Sequence, residues 1–140
     1  MRTSIHAIVC VILAAALYPF YKLSVLWIFA GGVLIDIDHY LWYISRFKKY
    51  NLKECYHYCA VETFKDNWKE VTGALFIFHN FEFLVLVSAL SFYSTPAFLF
   101  TVGLLSHYLL DFIWHAYGIK KPTHALSFLW WLVKRKTPKH

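Results

Sequence analysis

The sequence predicts an all-α integral membrane protein, a four-helix bundle of two tight helical hairpins with a cytoplasmic loop and a C-terminal interfacial helix. Three observations carry that expectation. The 140 residues are 59% hydrophobic and 21% aromatic, more apolar side chain than a soluble domain of this length can bury. Apolar runs of roughly 20 residues, the length that crosses a hydrocarbon core of about 30 Å, recur four times. Every one of the 14 Lys and Arg residues except Lys22 also falls on one side of the membrane in an N-in, C-in arrangement.

The four spans are expected near 4–20, 23–44, 71–94 and 96–118, within a single membrane domain of residues 1–140. Arg2 ahead of an apolar stretch, with Ala14, Ala15 and Ala16 behind it, imitates a secretory leader. A single charge makes a thin leader, so the segment is read as the first span. Only Pro19, Phe20, Tyr21 and Lys22 separate spans one and two, and only Ser94, Thr95 and Pro96 separate spans three and four. Proline suits a helix's first turn, and connections this short make antiparallel hairpins.

Between the hairpins, residues 45–70 mix both charge signs, from Arg46 to Glu70, and read as a cytoplasmic loop with some interfacial helix. The tail, 119–140, contains a nine-residue apolar patch from Ala125 to Val133, followed by Lys134, Arg135 and Lys136. Nine residues cannot span, so the tail is expected to lie in the interface. The net charge of +6 is accounted for by these cytoplasmic cations and by anionic lipid headgroups, with no nucleic acid required. Cys10, Cys55 and Cys59 are an odd set in reducing surroundings, which argues against structural disulfides. Cys55, His57 and Cys59 alone make a weak zinc set. Gly-rich phosphate loops and serine-hydrolase elbows are missing from the sequence, which leaves nucleotide and serine-hydrolase chemistry without a basis.

Four of the eight acidic residues, Asp36, Asp38, Glu82 and Asp111, fall inside the apolar spans, each within four positions of a histidine. A central Asp costs roughly 2.5–3.5 kcal/mol on translocon scales, and such residues mark functional sites. Asp36 and His39 share a helical face; Asp38 joins them only if the helix is distorted, and Gly31-Gly32 permits close packing or a local break. His79 and Glu82 are spaced i,i+3 like the inward ligands of metal-binding bundles. His107, Asp111 and His115 make one stripe on the fourth span, and His6 sits near the start of the first.

In an alternating up-and-down arrangement, all these residues fall toward the cytoplasmic half. They are therefore expected to share a divalent-metal site for one or two ions, with Asp36, Asp38, His39, His79, Glu82, His107 and Asp111 as ligands. Asp38 and Glu82 are the candidates for catalytic proton transfer, with Asp38 alternatively bridging two metals or orienting a histidine. His6, His115 and His124 are further candidates for ligands or substrate contacts. Oxygen and nitrogen donors suit zinc, with manganese, iron or magnesium as alternatives.

His6, the glycine-led Asp36-Ile37-Asp38-His39 block and His107-Tyr108-Leu109-Leu110-Asp111 together resemble the predicted membrane-bound metal-dependent hydrolases of the YdjM-like group, across essentially the whole chain. Where that group carries an Arg and a Thr-His-Ser after its second helix, this chain has His79-Asn80-Phe81-Glu82. The resemblance implies a small helical bundle with a metal site, hydrolase activity and a prokaryotic cytoplasmic membrane as its setting.

The first functional expectation is hydrolysis of a phosphoester or similar linkage on an anionic lipid at the cytoplasmic leaflet. A cation or proton transporter is the alternative, and oligomerisation would help it. Transport calls for polar residues through both membrane halves, whereas 9–17, 23–29 and 83–90 are almost wholly apolar. A non-catalytic accessory subunit, using the metal as a clamp, would show closed coordination.

Overall fold

The computed structural model describes residues 3–59, 74–119 and 124–136, without the side chains of 118, 119, 124, 125, 135 and 136. The chain is mostly helical. Its elements are α1 (Thr3–Tyr21), a 3-10 turn (Lys22–Val25), α2 (Leu26–Gly32), a second 3-10 turn (Leu34–Asp36), α3 (Ile37–Phe47) and α4 (Leu52–His57). They continue with β1 (Ala74–Leu75), a 3-10 turn (Ile77–His79), α5 (Phe81–Leu90), α6 (Thr95–Ile113), a π-helical turn (Trp114–Ile119), β2 (His124–Ala125) and α7 (Phe128–Lys136).

The first hairpin turns at Lys22, whose φ of 49° is left-handed. The reversal sets Thr3 beside Asp36, with Thr3 Oγ1 donating to Asp36 Oδ2 at 3.3 Å, and brings Cys10, Ala14, Val25, Ile28 and Leu99 into one apolar core. α2 lies directly on α6 because three glycines remove the side chains between them. A Cβ on Gly31 would overlap the Phe100 carbonyl, and one on Gly103 the Ile28 carbonyl; Gly32 abuts the Cys10 sulfur. Contact this close trades side-chain area for backbone proximity, as small residues do between membrane helices.

The second hairpin packs antiparallel through Ile35, Val87 and Leu104, with Thr101 Oγ1 donating to the Val87 carbonyl at 3.3 Å. Its α5 runs only from Phe81 to Leu90, about 15 Å at 1.5 Å per residue, and is shorter than the expected span of 71–94. Within the described residues, the preceding stretch forms β1 and a 3-10 turn because its polar backbone is claimed elsewhere. The Phe78 amide donates to Asp38 Oδ2 at 3.1 Å, and Tyr108 Oη donates to the Phe78 and Asn80 carbonyls at 2.8 and 3.0 Å. Asn80 then caps α5, its side chain accepting from the Phe83 amide at 2.9 Å.

The expected second span is likewise not one helix. Val33, at φ −130° and ψ −47°, breaks it immediately after the glycine pair. In the expected cytoplasmic loop, Asn51 caps α4, while residues 60–70 lie outside the described set. β2 pairs with β1 in parallel, Ala74 opposite His124 and Leu75 opposite Ala125, a contact that periodicity gives no hint of.

Among the described residues two helical segments, Thr3–Phe47 with its reversal and Thr95–Tyr117, are long and apolar enough to cross a membrane. Their outward side chains, Ile8, Ile12, Leu26, Leu109 and Phe112 among them, are exposed apolar groups. An uncovered apolar surface of this kind marks a membrane or protein contact.

Candidate metal centre

Three helices and two 3-10 turns bring polar side chains together. His6 comes from the first turns of α1, Asp36 from the break after α2, Asp38 and His39 from the start of α3, His79 from the turn before α5, and His107 and Asp111 from the late turns of α6. Seven of the ten residues singled out in the sequence thus converge.

The break at Val33 builds the site. In an unbroken helix the Gly32 carbonyl would accept from the Asp36 amide; here that amide reaches the Val33 carbonyl at 3.3 Å. The Gly32 oxygen is taken by His107 Nδ1 at 2.9 Å. A carbonyl only accepts, so His107 carries its proton on Nδ1 and turns an Nε2 lone pair inward. His79 is oriented in the same way, its Nδ1 lying 2.9 Å from Asp38 Oδ2.

The two inward nitrogens, His79 Nε2 and His107 Nε2, meet at 3.0 Å. Two lone pairs at that distance repel unless a cation or a shared proton lies between them. Asp36 Oδ1 completes a triangle, 3.6 Å from each nitrogen. Corners of a triangle with sides of 3.0, 3.6 and 3.6 Å stand about 2.0 Å from a common centre, which is the bond length of zinc to imidazole nitrogen and carboxylate oxygen.

Asp111 extends this group. Its Oδ2 is 3.3 Å from His107 Nε2 and its Oδ1 is 3.3 Å from His6 Nε2. His6 stacks on His107 with ring centroids 3.9 Å apart, and His6 Nδ1 is buried without a hydrogen-bond partner. Asp38 is saturated from another direction, accepting from the Phe78 amide and lying 2.9 Å from both His39 Nδ1 and His79 Nδ1. Its geometry is that of a carboxylate that orients imidazoles, and His39 is further fixed by stacking on Phe76 at 4.2 Å.

Among the described residues three groups could therefore hold an ion: Asp36 with His79 and His107, His6 with His107 and Asp111, and Asp38 with His39 and His79. The His and Asp donors overlap, since His79 and His107 each belong to two groups. In the first group Asp36 retains 26% side-chain exposure, whereas His79 and His107 are buried.

The remaining candidates lie elsewhere. Glu82 is in none of these groups; its carboxylate accepts from Ser127 Oγ at 2.6 Å, the Phe128 amide at 3.0 Å and the Leu129 amide at 3.2 Å. The i,i+3 pairing with His79 fails because His79 ends a 3-10 turn and is not on α5, which begins at Phe81 and carries Glu82. His115 sits in the π-helical turn beyond α6, also outside the groups. His124 pairs through its backbone in β2, and its side chain is outside the described set.

Cys55, His57 and Cys59 join no metal-capable group among the described residues. A hydrogen bond between Cys55 and Cys59 lowers the Cys55 thiol and raises that of Cys59. Residues that the sequence did not single out are Thr3, bound to Asp36, and Tyr108, which ties down the His79 turn. A phenol in an apolar helix needs a partner, so Tyr108 beside His107 was a readable signal. Comparison with known protein families, curated proteins and solved structures gives no match.

Proposed function

We propose that the protein is a membrane-embedded, metal-dependent hydrolase that cleaves a phosphoester or similar polar linkage of a lipid or lipid-linked substrate at the cytoplasmic leaflet. The observation that carries the metal assignment is the 3.0 Å approach of two imidazole nitrogens whose other nitrogens are already committed, with Asp36 equidistant from both. The bundle is read as sitting N-in and C-in in a cytoplasmic membrane, with the site near headgroup level.

Asp36, His79 and His107 are the principal ligands and Asp111 the nearest further donor. Asp38 holds His79, and through its other oxygen His39, while His6 steadies Asp111. The nitrogen and oxygen donor set favours zinc over softer thiolate metals. A divalent ion in such a site acts as a Lewis acid on a phosphoryl or acyl oxygen and activates water near neutral pH. The partial exposure of Asp36 favours a reactive centre over a sealed structural clamp. The likeness of the His6, Asp36–His39 and His107–Asp111 elements to the membrane-bound metal-dependent hydrolases points the same way.

The assay is release of headgroup or phosphate from mixed phospholipid micelles by zinc-loaded protein. Turnover that is abolished by chelation and by His79→Ala supports the reading; equal turnover by wild type and His79→Ala would remove it.

A further inference from the structure

We propose that Glu82 is a positioning residue for the metal centre, the pin by which the C-terminal segment 124–129 holds the His79 turn in its ligating place. This rests on the metal assignment above. The segment grips both ends of the stretch that carries His79. Before His79, β2 pairs with β1 at Ala74 and Leu75. After it, the Phe81 amide donates to the Leu126 carbonyl at 2.8 Å, and the Glu82 carboxylate takes Ser127 Oγ and the amides of Phe128 and Leu129.

Those amides belong to the first turn of α7, where the first four N–H groups lack intrahelical partners and the positive end of the helix dipole attracts an anion. Ser127 supplies the local cap, its Oγ accepting from the Trp130 amide at 3.2 Å, and Glu82 supplies the charge from another helix. The carboxylate therefore joins the start of α5 to the start of α7, only three residues from His79.

On its other side the turn is held by Asp38 and Tyr108. Two anchors on opposite sides leave the imidazole little freedom. Loss of the charged pin releases the C-terminal segment and, with it, the ends of the turn. A carboxylate that merely capped α7 would leave His79 unaffected, and that difference is measurable.

The test uses full-length protein in detergent, titrated with Co²⁺ alone, and hydrogen exchange of the same samples. Glu82→Ala is expected to weaken Co²⁺ binding about 10-fold or more, in the range of outer-shell substitutions. It should also alter the visible d–d spectrum and speed exchange of the amides of residues 76–81. Glu82→Gln keeps one acceptor oxygen, should fold if the alanine variant does not, and should fall between the two. Wild-type affinity, spectrum and exchange at 76–81 in either folded variant overturn the proposal, as does faster exchange confined to α7. Failure of wild type to take up Co²⁺ defeats the metal assignment instead, and exchange at 76–81 then decides the strap alone.

Discussion

His107 shows how a single residue becomes a ligand. Its ring is fixed at Nδ1 by a backbone carbonyl that exists as a free acceptor only because the helix breaks one residue later. Asp38 does the same for His79. Asp38→Asn keeps the volume but replaces one acceptor oxygen with an amide donor, which faces an imidazole N–H. We expect metal affinity to fall about 10- to 100-fold, measured by competition with a chromophoric chelator. Tyr108→Phe removes one donor from the two carbonyls that flank His79 and should cost about 1–3 kcal/mol in detergent unfolding. The ligand types were legible in the sequence because charge inside an apolar run has few innocent explanations. The Gly32 carbonyl was not, since a backbone acceptor leaves no mark in side-chain patterns. Glu82 carries the same mark as the ligands, and only the unwinding before α5 separates its role from theirs.

At the scale of elements, the glycine positions decide the geometry. Gly31 and Gly103 let α2 and α6 touch backbone to backbone, and that proximity puts His107 under the Gly32 carbonyl. Gly103→Ala forces a methyl into the Ile28 carbonyl, where helix backbone rather than a flexible side chain must yield. The expected result is destabilisation of about 1–3 kcal/mol, read as an earlier thermal unfolding in detergent. The second hairpin's turn was readable from Pro96, which opens α6, whereas Pro19 lies inside α1 and the first reversal begins only at Lys22. The glycine pair announced either close packing or a break, and the structure uses both. The shortening of the third helix was not readable, because Ala74 to Phe78 is as apolar as a span. It unwinds where Asp38, Tyr108 and β2, all distant in sequence, claim its backbone. The two-residue ladder between β1 and β2 is equally non-local.

For the molecule as a whole, apolar outer faces and one-sided cations give the reading of a bundle in a membrane with both termini on the same side. Lys22, at the tip of the first hairpin, and Lys53, in α4, then lie on opposite faces. In a background without Cys10, Cys55 and Cys59, Lys22→Cys and Lys53→Cys should react with a membrane-impermeant thiol reagent from opposite sides of sealed vesicles. Reaction of both from one side would overturn the topology. Depth was the feature of the sequence that most constrained the site: polar residues on early turns of one helix can meet those on late turns of its neighbour. The structure pairs Thr3 with Asp36 and His6 with Asp111 in that sense.

If Asp36, His79 and His107 hold one divalent ion, elemental analysis of detergent-purified protein, wild type beside Asp36→Ala and His107→Ala, will show it. Stoichiometric metal is expected in wild type, with zinc foremost, and its loss in both variants while each remains folded. Wild type devoid of metal after purification in metal-replete medium would contradict the metal assignment, leaving a shared proton between His79 and His107 as the cation at that contact.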